Sequence, residues 1–171
     1  MGLYGLAHLQ DHQIRLLRVT LKDGGKIQCK ITVHNLGAGT PEFFALSYTW
    51  GPCHLGRCNF RRSSLSTDPS RTVLCNDEPR QVNENLYGFL FHQASDKEDP
   101  TYLWIDALCI DQHNISEQSH QVKIMGEIYI AAKLVLIWLG PEDESTRVAF
   151  DLMQDLIKLE PEARSALRYR C

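Results

Sequence analysis

The alternation of apolar and polar positions divides the chain into short β-prone runs interleaved with amphipathic stretches. Ile14 to Leu21 and Lys26 to Val33 are β-prone, and Lys22-Asp23-Gly24-Gly25 between them is a turn signal. This pattern predicts a β-hairpin, placed at a sheet edge or in a small second sheet. Phe43 to Trp50 (FFALSYTW) is an apolar run closed by Gly51-Pro52, which a helix would not survive, so it reads as a central strand with Ser47, Tyr48 and Trp50 at its C-terminal end. Gly51 to Arg71 is rich in Ser, Arg, Gly and Pro without periodicity, as expected of a long surface loop. Thr72 to Cys75 is a short strand with Asn76-Asp77 as its turn. Asn83 then caps a helix carrying Leu86, Phe89, Leu90 and Gln93 at helical spacing. Gly88 weakens that helix by about 1 kcal/mol relative to Ala.

The densest information lies in Tyr102 to Gly140, which reads as strand, helix, strand. Leu103 to Ile110 is apolar on both faces except at Asp106, as in a strand covered by helices on each side. A carboxylate there needs a partner or the solvent-filled end of the strand, because an unpaired buried charge costs several kcal/mol. Holding the following loop and touching a ligand are both open to it. After the loop Asp111 to Ile115, Ser116 is the expected helix cap, with Glu117 in the positive first turn. Val122, Met125, Tyr129 and Ala132, widened by Ile124, Ile128 and Ala131, form the stripe expected to pack on the sheet. Leu134 to Leu139 is a second all-apolar strand, and a helix-joined parallel pair is the economical topology.

Past Gly140-Pro141, an acidic segment leads to Ser145, a second helix cap. The helix is expected to run to about Lys158, burying Val148, Leu152, Leu156 and Leu159, with Asp151 beside the stripe. Ala163 to Cys171 has no packing pattern and suits a truncated helix of a larger protein.

Composition narrows the function more than the fold. The 171 residues have ordinary apolar and charged fractions and suffice for one domain with a real core. A net charge of −3 without a basic run argues against nucleic-acid binding. No stretch reaches the roughly 18–20 apolar residues of a membrane span, and the N-terminus lacks a signal-peptide pattern. A cytoplasmic protein is expected, and its six cysteines then read as reduced, buried thiols, Cys29 and Cys109 among them. The sequon Asn114-Ile115-Ser116 carries no weight in that compartment. Cys53, His54 and Cys58 lack a second ligand pair to complete a zinc site, so no metal is expected. Cys109 with His113 is a weak nucleophile pair, because a thiol in an apolar strand is inert. Asn35 to Thr40 lacks the spacing of a phosphate loop.

The segments FFALSYTWG, VNENLYGFL, YLWIDALCIDQ, EQSHQVKIMGEIYIAAK and LVLIWLG, in that order, resemble the fungal heterokaryon incompatibility (HET) domain over roughly Ile14 to Gly140. The resemblance implies a cytosolic module, usually part of a larger protein, that triggers regulated cell death when genetically different cells fuse. It assigns 1–13 as an extension, 14–160 as the HET domain and 161–171 as a tail.

HET domains are in turn similar to Toll/interleukin receptor (TIR) domains, some of which cleave NAD at the nicotinamide bond. That comparison implies an α/β fold with a flavodoxin-like, mostly parallel sheet flanked by helices, plus the N-terminal hairpin. It matches FFALSYTW to the first strand, LWIDALCI to the second, Asp111 to Ser116 to the ligand-gating loop and LVLIWLG to the third. The TIR catalytic glutamate lies six residues beyond a Ser, with a Trp between. Counting from Ser145 puts Asp151 there, with Arg147 in place of the Trp, and Glu142, Glu144 and Glu117 remain alternatives.

Cleavage passes through an oxocarbenium-like state that a carboxylate can stabilise, and nicotinamide is already a cationic leaving group, so no general acid is needed. Ser47, Tyr48, Trp50, Asp106 and Asp111 are then the candidate ligand contacts, with Tyr48 or Trp50 able to stack on a ring. NAD would be a substrate, and no further cofactor is implied. The competing reading is a non-enzymatic module that self-associates and recruits other death-signalling proteins, with Asp106 and Glu117 supporting the fold.

Overall fold

The computed structural model describes residues 9–22, 24–48, 71–95, 101–141 and 144–159; in the last segment, side chains are described at 146–148 and 150–154. The chain divides into two units, Met1–Leu139 and Gly140–Cys171.

The first unit is built on a seven-stranded sheet ordered β5-β4-β2-β1-β6-β3-β7. The hairpin forms as its turn signal predicts, from β1 (Gln13–Lys22) and β2 (Lys26–Asn35). Gly24 and Gly25, at φ of 82° and 75°, supply a turn other residues adopt only under strain. The hairpin sits in the middle of the sheet rather than at an edge. Ile14, Arg15, Leu16 and Leu17 are buried in succession, so this end of β1 is covered on both faces. β2 pairs in parallel with β4 (Arg71–Cys75), which turns at Asn76 and Asp77, both left-handed, into antiparallel β5 (Glu78–Val82). Periodicity did not reveal β5, because Glu-Pro-Arg-Gln-Val has too little apolar content to read as a strand.

Asn83 caps α1 (Glu84–Ser95) as expected: its side-chain oxygen accepts from Leu86 N–H at 2.8 Å, and Leu86, Phe89 and Leu90 are buried. β3 (Phe43–Tyr48) is an interior strand, lying in parallel between β6 (Tyr102–Trp104) and β7 (Leu134–Trp138). The expected β6 and β7 pair is therefore parallel but separated by β3. The sheet is mixed rather than mostly parallel, since β1–β2, β1–β6 and β4–β5 run antiparallel.

Two local expectations change. The strand expected over Leu103 to Ile110 stops at Trp104, and a helical turn, α2 (Asp106–Cys109), replaces its second half. An apolar run of that length cannot be told from a buried helical turn by periodicity. α3 (Ile115–Ala131) is capped by Asn114, whose Oδ1 accepts from Glu117 N–H at 3.1 Å, and not by Ser116. Its buried face is Glu117, Gln121, Ile124 and Ile128, while Val122 is 54% exposed. The polar members of that face are paired inside the protein, which hides them from a hydrophobicity pattern. Cys29, Cys75 and Cys109 are free and buried.

The second unit contains α4 (Glu144–Leu159), the helix expected after Gly140-Pro141. Val148 and Leu152 are exposed, contrary to the expected stripe; the side chains of Leu156 and Leu159 lie outside the described residues. Among the described residues, no helix is long and apolar enough to cross a membrane.

Candidate functional site

The parallel strands β6, β3 and β7 end on the same side of the sheet, and ligands of open α/β sheets bind beyond such carboxyl ends. A cavity of about 330 Å3 lies at the end of β3. Tyr48 lines it together with Arg80, Gln81 and Val82 of β5, Asn83 and Leu86 at the start of α1, and Ala107, Leu108, Gln112 and His113 after β6. Val82, Leu86, Ala107 and Leu108 supply an apolar wall; Tyr48, Arg80, Gln81, Asn83, Gln112 and His113 supply hydrogen-bonding groups. Polar groups converging on an apolar wall are what a small-molecule site needs to orient a ligand.

Asp106, the anomaly of the sequence, opens α2 beside this cavity. Its Oδ1 accepts from Ala107 N–H at 2.7 Å, and its backbone carbonyl accepts from Gln112 Nε2 at 3.0 Å, which folds the following loop back over the turn. Burial first, and then the negative charge of Asp106, raise the phenol of Tyr48 above its ordinary value, and the same two causes act on Tyr129. Tyr48 therefore stays protonated at neutral pH.

The other candidates separate. Ser47 precedes Tyr48 and, by strand alternation, points to the opposite face. Asp111 lies beyond α2, where its Oδ1 accepts from His113 N–H at 3.1 Å. Glu117 is 7% exposed and committed to the fold: it forms a buried ion pair with Arg15 and accepts from Asp111 N–H at 2.8 Å. Arg15 also donates to Cys109 O at 3.1 Å and to the second Glu117 oxygen at 3.1 Å. Asp151 is exposed on α4 in the second unit, and Glu144 begins that helix with its side chain outside the described residues. Trp50, Glu142, Cys53, His54 and Cys58 lie outside the described residues.

Cys109 is fully buried at the end of α2, with Ile105 N–H donating to its Sγ at 3.4 Å. Burial pushes its thiol up to about 12, against smaller lowering effects from that hydrogen bond and from Arg15, so it is not a nucleophile at neutral pH. Among the described residues, no group of His, Cys, Asp and Glu is placed to hold a metal.

The family description "Heterokaryon incompatibility protein (HET)" matches residues 43–169, most of the chain. The chain belongs to the HET family. A HET-family relative, "Heterokaryon incompatibility protein 6, OR allele" of Neurospora crassa, is 34% identical over 113 residues, covering 63% of this chain. The match spans 16% of that relative's length. No solved structure matches the chain.

Sequence reasoning missed Arg80, Asn83 and Gln112 as lining of the cavity in this HET-family chain, and Arg15 as the buried partner of Glu117. Only Arg15 left a signal, as a charge inside the apolar run Ile14 to Leu17.

Proposed function

We propose that this chain is the cytoplasmic death-signalling module of a fungal incompatibility protein, and that it binds NAD in the cavity beside Tyr48 and cleaves its nicotinamide bond. The observation that carries the reading is the cavity at the carboxyl end of β3, lined by Tyr48 and by hydrogen-bonding groups, with Ala107 of its lining following Asp106 directly in the chain. Family membership supports the signalling role, and the likeness of HET domains to TIR domains supplies the chemistry. Tyr48 stacks on a ring of the dinucleotide, and Asp106, oriented by Ala107 N–H, faces the developing positive charge of the ribosyl cation or its hydroxyls. Asp151 and Glu144, the carboxylates to which the TIR resemblance points, belong to α4 in the second unit. Glu117 is unsuited, because its oxygens already serve Arg15 and Asp111.

A second reading, a self-associating module that recruits other death-signalling proteins, is favoured by the exposed apolar side chains of β7, the last strand of the sheet among the described residues. The two are separated by incubating the purified chain with NAD, dilute and then crowded or tethered, and following nicotinamide release. Release that disappears in Asp106→Asn, with the fold retained, is the expected result. Asp151→Ala tests separately the carboxylate to which the TIR resemblance points. No release under either condition from folded protein would leave the assembly reading.

A further inference from the structure

Within the sheet, β4 and β5 are joined to the rest by a short seam. Among the described residues, β2 and β4 pair at two register positions, Gln28 with Leu74 and Cys29 with Cys75, against ten for β1 with β2 and five for β4 with β5. Asn76 closes the seam just beyond. Its Oδ1 accepts from Ile31 N–H at 2.9 Å, its Nδ2 donates to Ile31 O at 3.1 Å, and its backbone N–H donates to Cys29 O at 3.0 Å.

One of the two register pairs consists of cysteines. Neighbouring strands lie about 4.8 Å apart, and a disulfide spans a Cα separation of roughly 4.4–6.8 Å. Cys29 and Cys75 are free and fully buried, and their thiols are hydrogen-bonded to each other. Joining them needs no rearrangement of the backbone.

Two adjacent thiols can also serve as small apolar packing. The charge environment separates this pair from such packing. The hydrogen bond from Cys29 holds Cys75 below the ordinary thiol range in spite of burial, and the positive charge of Arg80 acts in the same direction. That hydrogen bond, and then burial, raises Cys29. One thiol is thus prepared to ionise while its neighbour keeps its proton, as in an attacking and a resolving cysteine. Cys109, by contrast, is raised, chiefly by burial.

We propose that Cys29 and Cys75 form a reversible oxidation site, joined by hydrogen peroxide into a disulfide that staples β4 and β5 to the hairpin. This is independent of NAD cleavage. The Cys75 thiolate attacks one peroxide oxygen, the O–O bond breaks, and the departing hydroxide takes up a proton to become water, leaving Cys75 as sulfenic acid. Cys29 then attacks that sulfur, the S–O bond breaks, and the hydroxyl leaves with the Cys29 proton as a second water. The two thiols lose two electrons in total, and one peroxide is reduced to two waters.

Burial sets the rate of this reaction. Peroxide is small and uncharged, and it reaches the pair when the two-position seam opens locally, so oxidation is slower than at an exposed thiol. Arg80, Gln81, Val82 and Asn83 of the cavity wall follow the stapled strand closely in the chain, so the bond fixes that wall against the hairpin.

The test treats the reduced full chain with graded hydrogen peroxide under native conditions, blocks the remaining thiols with iodoacetamide in urea, and maps the peptides by mass spectrometry. The expected result is a peptide linked through Cys29 and Cys75 that dithiothreitol separates, with a higher thermal midpoint for the oxidised chain and slower amide exchange at residues 28–31 and 71–75. Cys29→Ala should leave Cys75 as a sulfenic acid that dimedone captures, whereas Cys75→Ala should leave Cys29 reduced. The map of the unsubstituted chain decides the pairing even where a variant does not fold. A link that forms only when peroxide is added in urea would overturn the proposal, as would disulfides elsewhere with Cys29 and Cys75 still reduced, or Cys75 oxidised further with no link to Cys29. An unchanged or lowered midpoint in the linked chain would overturn the staple. Dimedone on Cys29 in the Cys75→Ala chain would overturn the choice of attacking thiol.

Discussion

The two ends of the sheet differ in both composition and connection. At one end, β4 joins the hairpin in parallel through β2 and carries antiparallel β5, whose Glu78, Pro79 and Arg80 discourage further pairing. At the other, β6, β3 and β7 run parallel, their carboxyl ends open toward the cavity beside Tyr48, and the last strand is apolar on both faces and unguarded. The closed half supplies a frame, with the hairpin β1–β2 buried at the centre of the sheet. The open half contributes Tyr48, Ala107, Leu108, Gln112 and His113 to the cavity, and Arg80, Gln81 and Val82 of β5 complete it.

The strongest way to break the comparison is to cut the joint between the halves. Arg15 on β1 and Glu117 on α3 form a buried ion pair whose removal from one side leaves the other charge uncompensated. Glu117→Ala is expected to lose about 3–5 kcal/mol in urea unfolding. The double change Arg15→Met with Glu117→Leu should recover most of that loss, since it removes both charges and fills the space. A loss below about 1 kcal/mol in the single variant would mean the pair does not join the halves.

This joint also shows where sequence reading stopped. Helix α3 and its position before β7 were legible, but its buried face was not, because Glu117 and Gln121 look like surface residues until their partners are known. Gln121 Nε2 donates to Gln13 O at 2.8 Å, a contact 108 residues away in the chain. Likewise the hairpin was legible from its turn, yet its central place depends on strand pairings that no local pattern encodes. At the site, Tyr48 and Asp106 stood out as a polar end and a charge in apolar runs. The rest of the cavity, Arg80 to Asn83 and Gln112, comes from segments that look like turns and loops, and only the fold brings them together.

A smaller effect sharpens the contrast between the edges themselves. Replacing Glu78, Pro79 and Arg80 together with Val gives β5 the character of β7, and is expected to create concentration-dependent association at that edge, visible in sedimentation velocity. Unchanged behaviour would show that charge and proline are not what keeps β5 closed.

The smallest effect lies under the open half. Gly88 in α1 faces Trp138 of β7, and a methyl group there would meet Trp138 Cζ2 at 3.7 Å, an ordinary contact. Gly88→Ala is therefore expected to stabilise the protein by up to about 1 kcal/mol, read as a raised thermal midpoint, because it gains helix propensity without displacing the ring. A destabilised variant would place α1 and β7 closer than this geometry allows.

The most direct test of the central claim, that the cavity beside Tyr48 is a nucleotide site, is a titration of the isotope-labelled chain with NAD, followed by backbone amide shifts. The account predicts saturable shifts at Tyr48, Gln81, Asn83, Gln112 and His113, weakened by Asp106→Asn. Saturable shifts confined to other residues, or none at all from folded protein at high NAD, would contradict it.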